Sequence, residues 1–110
     1  MNTDFSNYYN LAERIEDAFP EIDSDTCADL RNNDSEYINL CCEAVKLQQD
    51  FPVIMQIIEG GGAVSLSAEE HGALTRYLGV KHDMEDIERK AIYFRGHADN
   101  FAYLKKIGAV

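Results

Sequence analysis

The sequence predicts an all-α fold, a compact bundle of four to five helices in one domain covering residues 1–110, with a long C-terminal helix. Apolar residues recur every three or four positions over most of the chain. Residues that start or stop helices separate these stretches, and no linker, repeat or low-complexity tract divides them. A chain of 110 residues also suits a single domain with its own hydrophobic core.

The first helix is predicted to run from a cap at Thr3 to about Phe19, because Pro20 removes a backbone donor and stops a helix. Its apolar stripe comprises Phe5, Tyr8, Ala12, Ile15 and Phe19. A loop and a short helix are predicted in "EIDSDTCADLRNN", with Asp23 or Ser24 as the cap. Its inward-facing positions are Cys27 and Leu30.

The next helix is predicted to start at Asn33, which with Glu36 has a weaker form of the capping-box pattern. Its buried side comprises Ile38, Cys41, Cys42, Val45 and Leu47. The stretch "PVIMQIIEG" is predicted as a short helix, because Pro52 suits a first turn and Gly60 suits a C-terminal cap. A buried strand over residues 53–58, pairing with "AVSLS", is the alternative.

The clearest local signal is the full capping box of Ser67 and Glu70, which starts a helix that Gly79 is expected to close. The apolar face of this helix comprises Leu74, Tyr77 and Leu78. The longest helix starts near Asp83 and is predicted to form the spine of the fold. Its stripe comprises Met84, Ile87, Ala91, Phe94, Ala98, Phe101 and Leu104 or Ile107. Gly96 interrupts this helix and marks either a kink or a close contact.

The charge is strongly negative and unevenly distributed. The net charge is −10; residues 1–55 hold 12 acids and 3 bases, and residues 56–110 hold 8 acids and 7 bases. Such a chain repels nucleic acid and anionic membranes, so neither is expected as a direct partner. Basic protein surfaces are the partners that its charge favours. No apolar run is long enough to span a bilayer, and "MNTDFSNYYN" lacks a signal peptide, so a cytoplasmic location is expected. The odd number of cysteines, three, favours reduced thiols.

No motif in the sequence predicts a catalytic residue, a metal site or a cofactor. The segment "GGGAVSLS" lacks the lysine of a phosphate-binding loop, and the histidines have none of the spacings of zinc proteases. The segment "GGGAVSLS" is therefore interpreted as a joint between helices. A small enzyme using His97 with Asp99 or a cysteine remains an alternative, and it requires His97 to lie in a closed pocket.

The segment "ERKAIYFRGHADNFAYLKKIG", residues 88–108, is the candidate interaction surface. It combines aromatic residues, arginine and glycine on one helix, which is typical of a helix–helix contact or a partner surface. The candidate residues are Glu88, Arg89, Tyr93, Arg95, His97 and Asp99. The leading hypothesis is a non-enzymatic protein–protein interaction or regulatory module, with self-association through the long helix. The alternative is an acidic mimic or inhibitor of a nucleic-acid-binding protein, acting through Asp23, Asp25, Asp29 and Asp34.

Two stretches, "FPVIMQIIEGGGAVSLSAEEHGALTRYL" and "MEDIERKAIYFRGHADNFAYLKKIGAV", carry a resemblance to a known family. Residues 50–110 resemble a family of small uncharacterised bacterial proteins, a domain of unknown function found in anaerobic Gram-positive bacteria and their mobile elements. The resemblance implies a bacterial, cytoplasmic protein and directs attention to the same candidate residues and to Gly96. It implies no activity, ligand or catalytic residue.

Overall fold

The computed structural model describes residues 3–110, with side chains from residue 12 onward, and this part of the chain contains four helices and no strand. They are α1 (Thr3–Asn33), α2 (Ser35–Asp50), α3 (Val53–Ile58) and α4 (Ala68–Lys106). The all-α fold with a long C-terminal helix is therefore confirmed. Residues 53–58 form a helix, so the strand alternative is wrong.

Helix α1 continues through Pro20, so the predicted stop at Phe19 and the loop after it are wrong. The φ angle that proline imposes is compatible with a helix, and the ring removes a single backbone donor. The proposed caps Asp23 and Ser24 lie within the helix. Two turns beyond Pro20, Thr26 is buried, and its hydroxyl donates a hydrogen bond to the Ile22 carbonyl at 2.8 Å. The predicted cap at Thr3 and the side chains of Phe5 and Tyr8 lie outside the described side chains.

Helix α2 starts one residue later than predicted, because its cap is Asp34 rather than Asn33. The Asp34 carboxylate accepts a hydrogen bond from the Tyr37 backbone N–H at 2.8 Å, which satisfies one free donor of the first turn. The inward face is also rotated from the predicted one. Tyr37 and Ala44 are buried, whereas Cys42 and Val45, which were expected to be buried, are exposed. The half-buried positions beside them include Ile38, Leu40, Cys41 and Leu47.

The short helix α3 and the turn after it bring the chain to the start of α4. Ile54 is fully buried, while Gly60 adopts φ +76°, a conformation that favours glycine just after a helix. The predicted capping box is present. The Ser67 hydroxyl accepts from the Glu70 backbone N–H at 3.1 Å, and the Glu70 carboxylate accepts from the Ser67 backbone N–H at 3.0 Å.

Helix α4 is continuous over 39 residues, about 58 Å at 1.5 Å per residue, so the predicted end at Gly79 is wrong. A glycine costs only about 1 kcal/mol in a helix interior, and the buried neighbours Tyr77 and Val80 hold α4 against the core at this point. The helix also continues through Gly96. A methyl group added there meets no atom within 4 Å, so Gly96 makes no close contact with the described residues.

The hydrophobic core lies at one end of the molecule. Helix α2 runs antiparallel to α4, as shown by the hydrogen bonds Gln48–Tyr77 at 2.8 Å and Tyr37–Glu88 at 2.5 Å. The buried apolar residues are Leu30, Tyr37, Ala44, Ile54, Ala73, Tyr77, Val80 and Met84. We call residues 26–91, which contain this core, the body. We use the name arm for residues 12–25 of α1 together with residues 92–107, which are the end of α4 and its C-cap Ile107.

The molecule is elongated, so the compact shape that the sequence predicted is wrong. The structure measures 67 × 32 × 16 Å, and its radius of gyration is 20.2 Å. A compact domain of this length has a radius of gyration of about 13 Å. The length arises because α1 and α4 extend beyond the start of α2, which begins at Ser35 beside the middle of α4.

Candidate interaction surface

The arm exposes most of the large apolar side chains on the described surface. On its two helices these are Ile15, Phe19, Tyr93, Phe94, Phe101, Tyr103 and Ile107, each about half exposed or more. Among residues 12–110, every buried apolar residue lies in the body. The arm is therefore a pair of helices without an enclosed core.

The exposed residues of α4 continue the stripe that packs in the body. Val80 and Met84 are buried, Ile87 and Ala91 are partly buried, and Phe94 is 69% exposed. The sequence correctly predicted this continuous stripe, because spacing of three and four keeps residues on one face. The prediction that Phe94, Ala98 and Phe101 are buried is wrong. Helix α2, which covers the stripe in the body, does not reach them.

Helix α1 has the same arrangement. Leu30 and Thr26 are buried in the body, while Phe19 and Ile15 follow at helical spacing on the same side and are exposed. The two arm helices also border a groove of about 400 Å³. Its lining residues are Ile15, Ile22, Gly96, Asp99, Asn100 and Tyr103. The packing between the two helices therefore leaves both the groove and the apolar stripes open to solvent.

Two of the predicted interaction residues, Glu88 and Arg89, lie in the body. Glu88 is half-buried and accepts the hydrogen bond from the Tyr37 hydroxyl. Arg89 lies 3.6 Å from Asp86, whose other carboxylate oxygen lies 3.2 Å from the Lys90 ammonium group. Lys90, with a smaller effect of Arg89, lowers the pKa of Asp86. Glu88 thus joins α4 to α2 within the body, and Arg89 forms part of a surface ion-pair cluster.

The other four predicted residues lie on the arm as two local pairs. Arg95 pairs with Asp99 at 3.5 Å, and the Tyr93 ring meets the His97 ring edge-on with centroids 4.5 Å apart. The structure thus does not bring the six residues into one site. His97 is exposed and does not line the arm groove, so the described residues supply no closed pocket of the kind that the enzyme hypothesis requires.

The two arm helices carry opposite charge. Residues 12–25 hold six acidic residues and one arginine, whereas residues 92–107 hold three basic residues and Asp99. Among residues 12–110, the only ion pair on the arm is Arg95–Asp99, so the α1 carboxylates remain available to a partner. The arm therefore combines an apolar face with one acidic and one basic edge.

Cys27 and Cys41 do not have the environment of nucleophiles. Burial, and next the Glu88 carboxylate, raises the pKa of Cys27, and burial raises the pKa of Cys41. Both thiols are therefore held in the protonated, less reactive form. Within residues 12–110, no three histidine, cysteine or carboxylate side chains lie close enough together to hold a metal ion. No helix in the described part of the chain has an apolar stretch sufficient to cross a bilayer.

Residues Phe94 and Phe101, which the sequence assigned to the core, are the main functional candidates that sequence reasoning missed. A signal for them existed in the predicted helix lengths. The apolar stripe of the last helix is longer than any of the other helices predicted from the sequence, so no one of them can cover all of it.

Comparison with known proteins gives one match. Residues 6–110 match the model of a family of unknown function, DUF6664. This confirms the predicted resemblance to a domain of unknown function and extends it from residues 50–110 to nearly the whole chain. No curated protein and no solved structure matches the chain.

Proposed function

Because the chain belongs to DUF6664, a family of unknown function, we propose its function from its own surfaces: it is a non-enzymatic protein–protein interaction module whose binding surface is the arm. The body fixes the two long helices, and the arm presents their apolar faces to a partner. The cytoplasm, where a protein with three unpaired cysteines stays reduced, is the proposed location.

The single observation that carries this proposal is the continuity of the α4 stripe from the buried Met84 to the exposed Phe94 and Phe101. Aromatic side chains in line with an existing core are suited to become the centre of an interface once a further helix covers them. Each fully covered side chain of this size contributes about 1.5–3 kcal/mol from apolar burial.

The exposed area of the chain also favours a partner. The accessible surface is 8402 Å², whereas a compact monomer of 12.4 kDa has roughly 6,100 Å². The excess is larger than the roughly 800 Å² that each partner buries in a standard protein–protein interface. The chain therefore exposes enough surface to supply a complete interface.

The test is a pull-down with tagged protein from a native lysate, with a second, differently tagged copy of the chain included. The double variant Phe94→Gln/Phe101→Gln is compared with Leu78→Gln, which changes an exposed apolar residue of the body. We expect the wild type and Leu78→Gln to retain a stoichiometric protein, whether a host protein or the second copy, and the double variant to lose it. A wild type that retains neither, or a double variant that retains as much, contradicts the proposal.

A second candidate function, an acidic mimic that occupies a nucleic-acid-binding protein, is favoured by the exposed acidic side chains along α1. These are Glu13, Glu16, Asp17, Glu21, Asp25 and Asp29. The test neutralises Asp25 and Asp29 to asparagine and leaves Asp34 intact, since Asp34 caps α2. Binding to basic proteins that weakens with added salt and with these substitutions supports the mimic. Binding that is unchanged by both contradicts it.

A further inference from the structure

We infer that the occupant of the arm is a second copy of this chain, and that two arms pack antiparallel to form a four-helix bundle. The inference rests on the proposed function of the arm and adds the identity and orientation of the partner. In this dimer, α1 of each copy lies beside α4 of the other copy, and both apolar stripes face the shared core.

The first argument is the number of helices. In the body, α2, α3 and the last turns of α1 pack on α4 and enclose a core, whereas the described arm has only α1 and α4. Two such pairs, related by a two-fold axis, complete a four-helix bundle. Residues 92–106 of α4 provide about 22 Å of helix for this contact, about four turns. Both helices contribute apolar residues to it, Phe94 and Phe101 from α4 and Ile15 and Phe19 from α1.

The second argument is charge. Residues 12–25 have a net charge of −5, and residues 92–107 have a net charge of +2. Pairing α1 of one copy with α4 of the other places unlike charges side by side, whereas pairing α1 with α1 opposes two acidic edges. Complementary charge of this kind selects the partner and its orientation. A second copy thus carries both the apolar face and the charges that the arm requires.

The antiparallel orientation makes a specific prediction about the basic residues. Lys105 and Lys106 lie at the tip of the arm, and Glu21 and Asp25 lie at its base, next to the body. When two arms lie antiparallel, the tip of one lies against the base of the other. The two lysines of each copy therefore lie opposite the two carboxylates of its partner.

The first experiment measures mass by size-exclusion chromatography with light scattering over a dilution series. We expect twice 12.4 kDa for the wild type and for Leu78→Gln. Phe94→Gln/Phe101→Gln should be monomeric, with dimerisation weakened about 100-fold or more, because each change removes an aromatic side chain from the centre of the interface. Circular dichroism verifies that the variant retains its helices.

The second experiment exchanges charges. Lys105→Glu/Lys106→Glu and Glu21→Lys/Asp25→Lys should each be monomeric alone and form a heterodimer when mixed, because both cross-copy edges are then complementary. A mixture that stays monomeric while the wild type dimerises overturns the antiparallel arrangement. A wild type that is monomeric throughout overturns self-association. If the arm then still binds another protein in the pull-down, the proposed function stands; if it binds none, both proposals fail.

Discussion

The Tyr37 hydroxyl donates a hydrogen bond to Glu88 Oε2 at 2.5 Å, joining the first turn of α2 to the middle of α4 across 51 residues of sequence. Tyr37 is only 2% exposed, and Glu88 is half-buried. This contact marks the level at which α2 begins. The hydrophobic core ends near the same level, and the arm, formed by α1 and α4, lies beyond it.

Replacing Tyr37 by phenylalanine should destabilise the fold by about 1–3 kcal/mol, because the half-buried Glu88 carboxylate loses its donor. Urea unfolding followed by circular dichroism measures the change. Tyr93→Phe is the matched control, since its hydroxyl belongs to an exposed side chain, and it should leave stability unchanged. Equal effects of the two substitutions would show that the Tyr37–Glu88 hydrogen bond does not contribute to stability.

The same tyrosine predicts a loss of stability at alkaline pH. Burial, and next the hydrogen bond to Glu88, raises the pKa of Tyr37 above its ordinary value of 10.0. The folded protein therefore keeps a proton that the unfolded chain releases. The contribution of protonated Tyr37 to the free energy of unfolding is complete below about pH 10 and is lost as the pH rises further.

The wild type and Tyr37→Phe should thus be compared by urea unfolding at increasing pH. Cys27 and Cys41, whose raised pKa values act in the same direction, are present in both proteins and cancel from the difference. We expect wild-type stability to fall more steeply above about pH 10 than that of the variant. Parallel curves would rule out a raised pKa for Tyr37.

The features that the sequence predicted correctly depend on local chemistry. The capping box of Ser67 and Glu70 and the helix after Pro52 involve neighbouring residues only, so their patterns determine the local structure. The stops predicted at Pro20 and Gly79 failed, because packing of the residues beyond them outweighs a local cost of one donor or about 1 kcal/mol. Helix ends inside a packed region thus depend on contacts that a local pattern does not contain.

The interaction residues predicted from the sequence and the exposed apolar residues of the proposed surface lie on the same helix but are different residues. Polar aromatic and charged residues such as Tyr93 and Arg95 attracted attention, whereas Phe94 and Phe101 were assigned to the core. Periodicity establishes that a stripe exists, but burial requires a covering element of sufficient length. Which part of the α4 stripe is covered depends on where α2 begins, and that is a tertiary relationship.

Pro20 gives a prediction about α1. Because Pro20 lies inside a continuous helix, Pro20→Ala should restore a backbone donor and relieve the contact with the preceding turn, stabilising the protein by about 1–3 kcal/mol. Thermal unfolding provides the measurement. Pro52→Ala is the control, since Pro52 precedes the first turn of α3 and its φ of −57° suits proline, so that substitution should give no gain. A loss of stability in Pro20→Ala would show that α1 requires the proline.

The capping box predicts the effect of a change at the start of α4. Ser67→Ala should cost about 1 kcal/mol, because the Glu70 backbone N–H loses its acceptor. Ser65→Ala, two residues earlier in the exposed connection, should have no measurable effect. The midpoint of urea unfolding distinguishes them. A result in which both serine variants unfold alike would mean that the cap contributes nothing to this long helix.

Two glycines of α4 test whether Gly96 makes a close contact between copies of the chain. Gly79 in the body and Gly96 in the arm both lie within the helix, and an added methyl group meets no atom within 4 Å at either position. Each change to alanine should therefore stabilise the protein by about 0.5–1 kcal/mol. Gly60→Ala should instead destabilise it, since Gly60 has φ +76°.

Thermal unfolding measures the stability of these three variants, and light scattering measures whether each remains a dimer. Gly96 borders the groove between α1 and α4 and lies to one side of the exposed stripe of Phe94 and Phe101. Gly96→Ala should therefore leave the dimer intact and raise stability as Gly79→Ala does. A Gly96→Ala protein that loses stability or dissociates, while Gly79→Ala gains, would assign Gly96 to a close contact between copies.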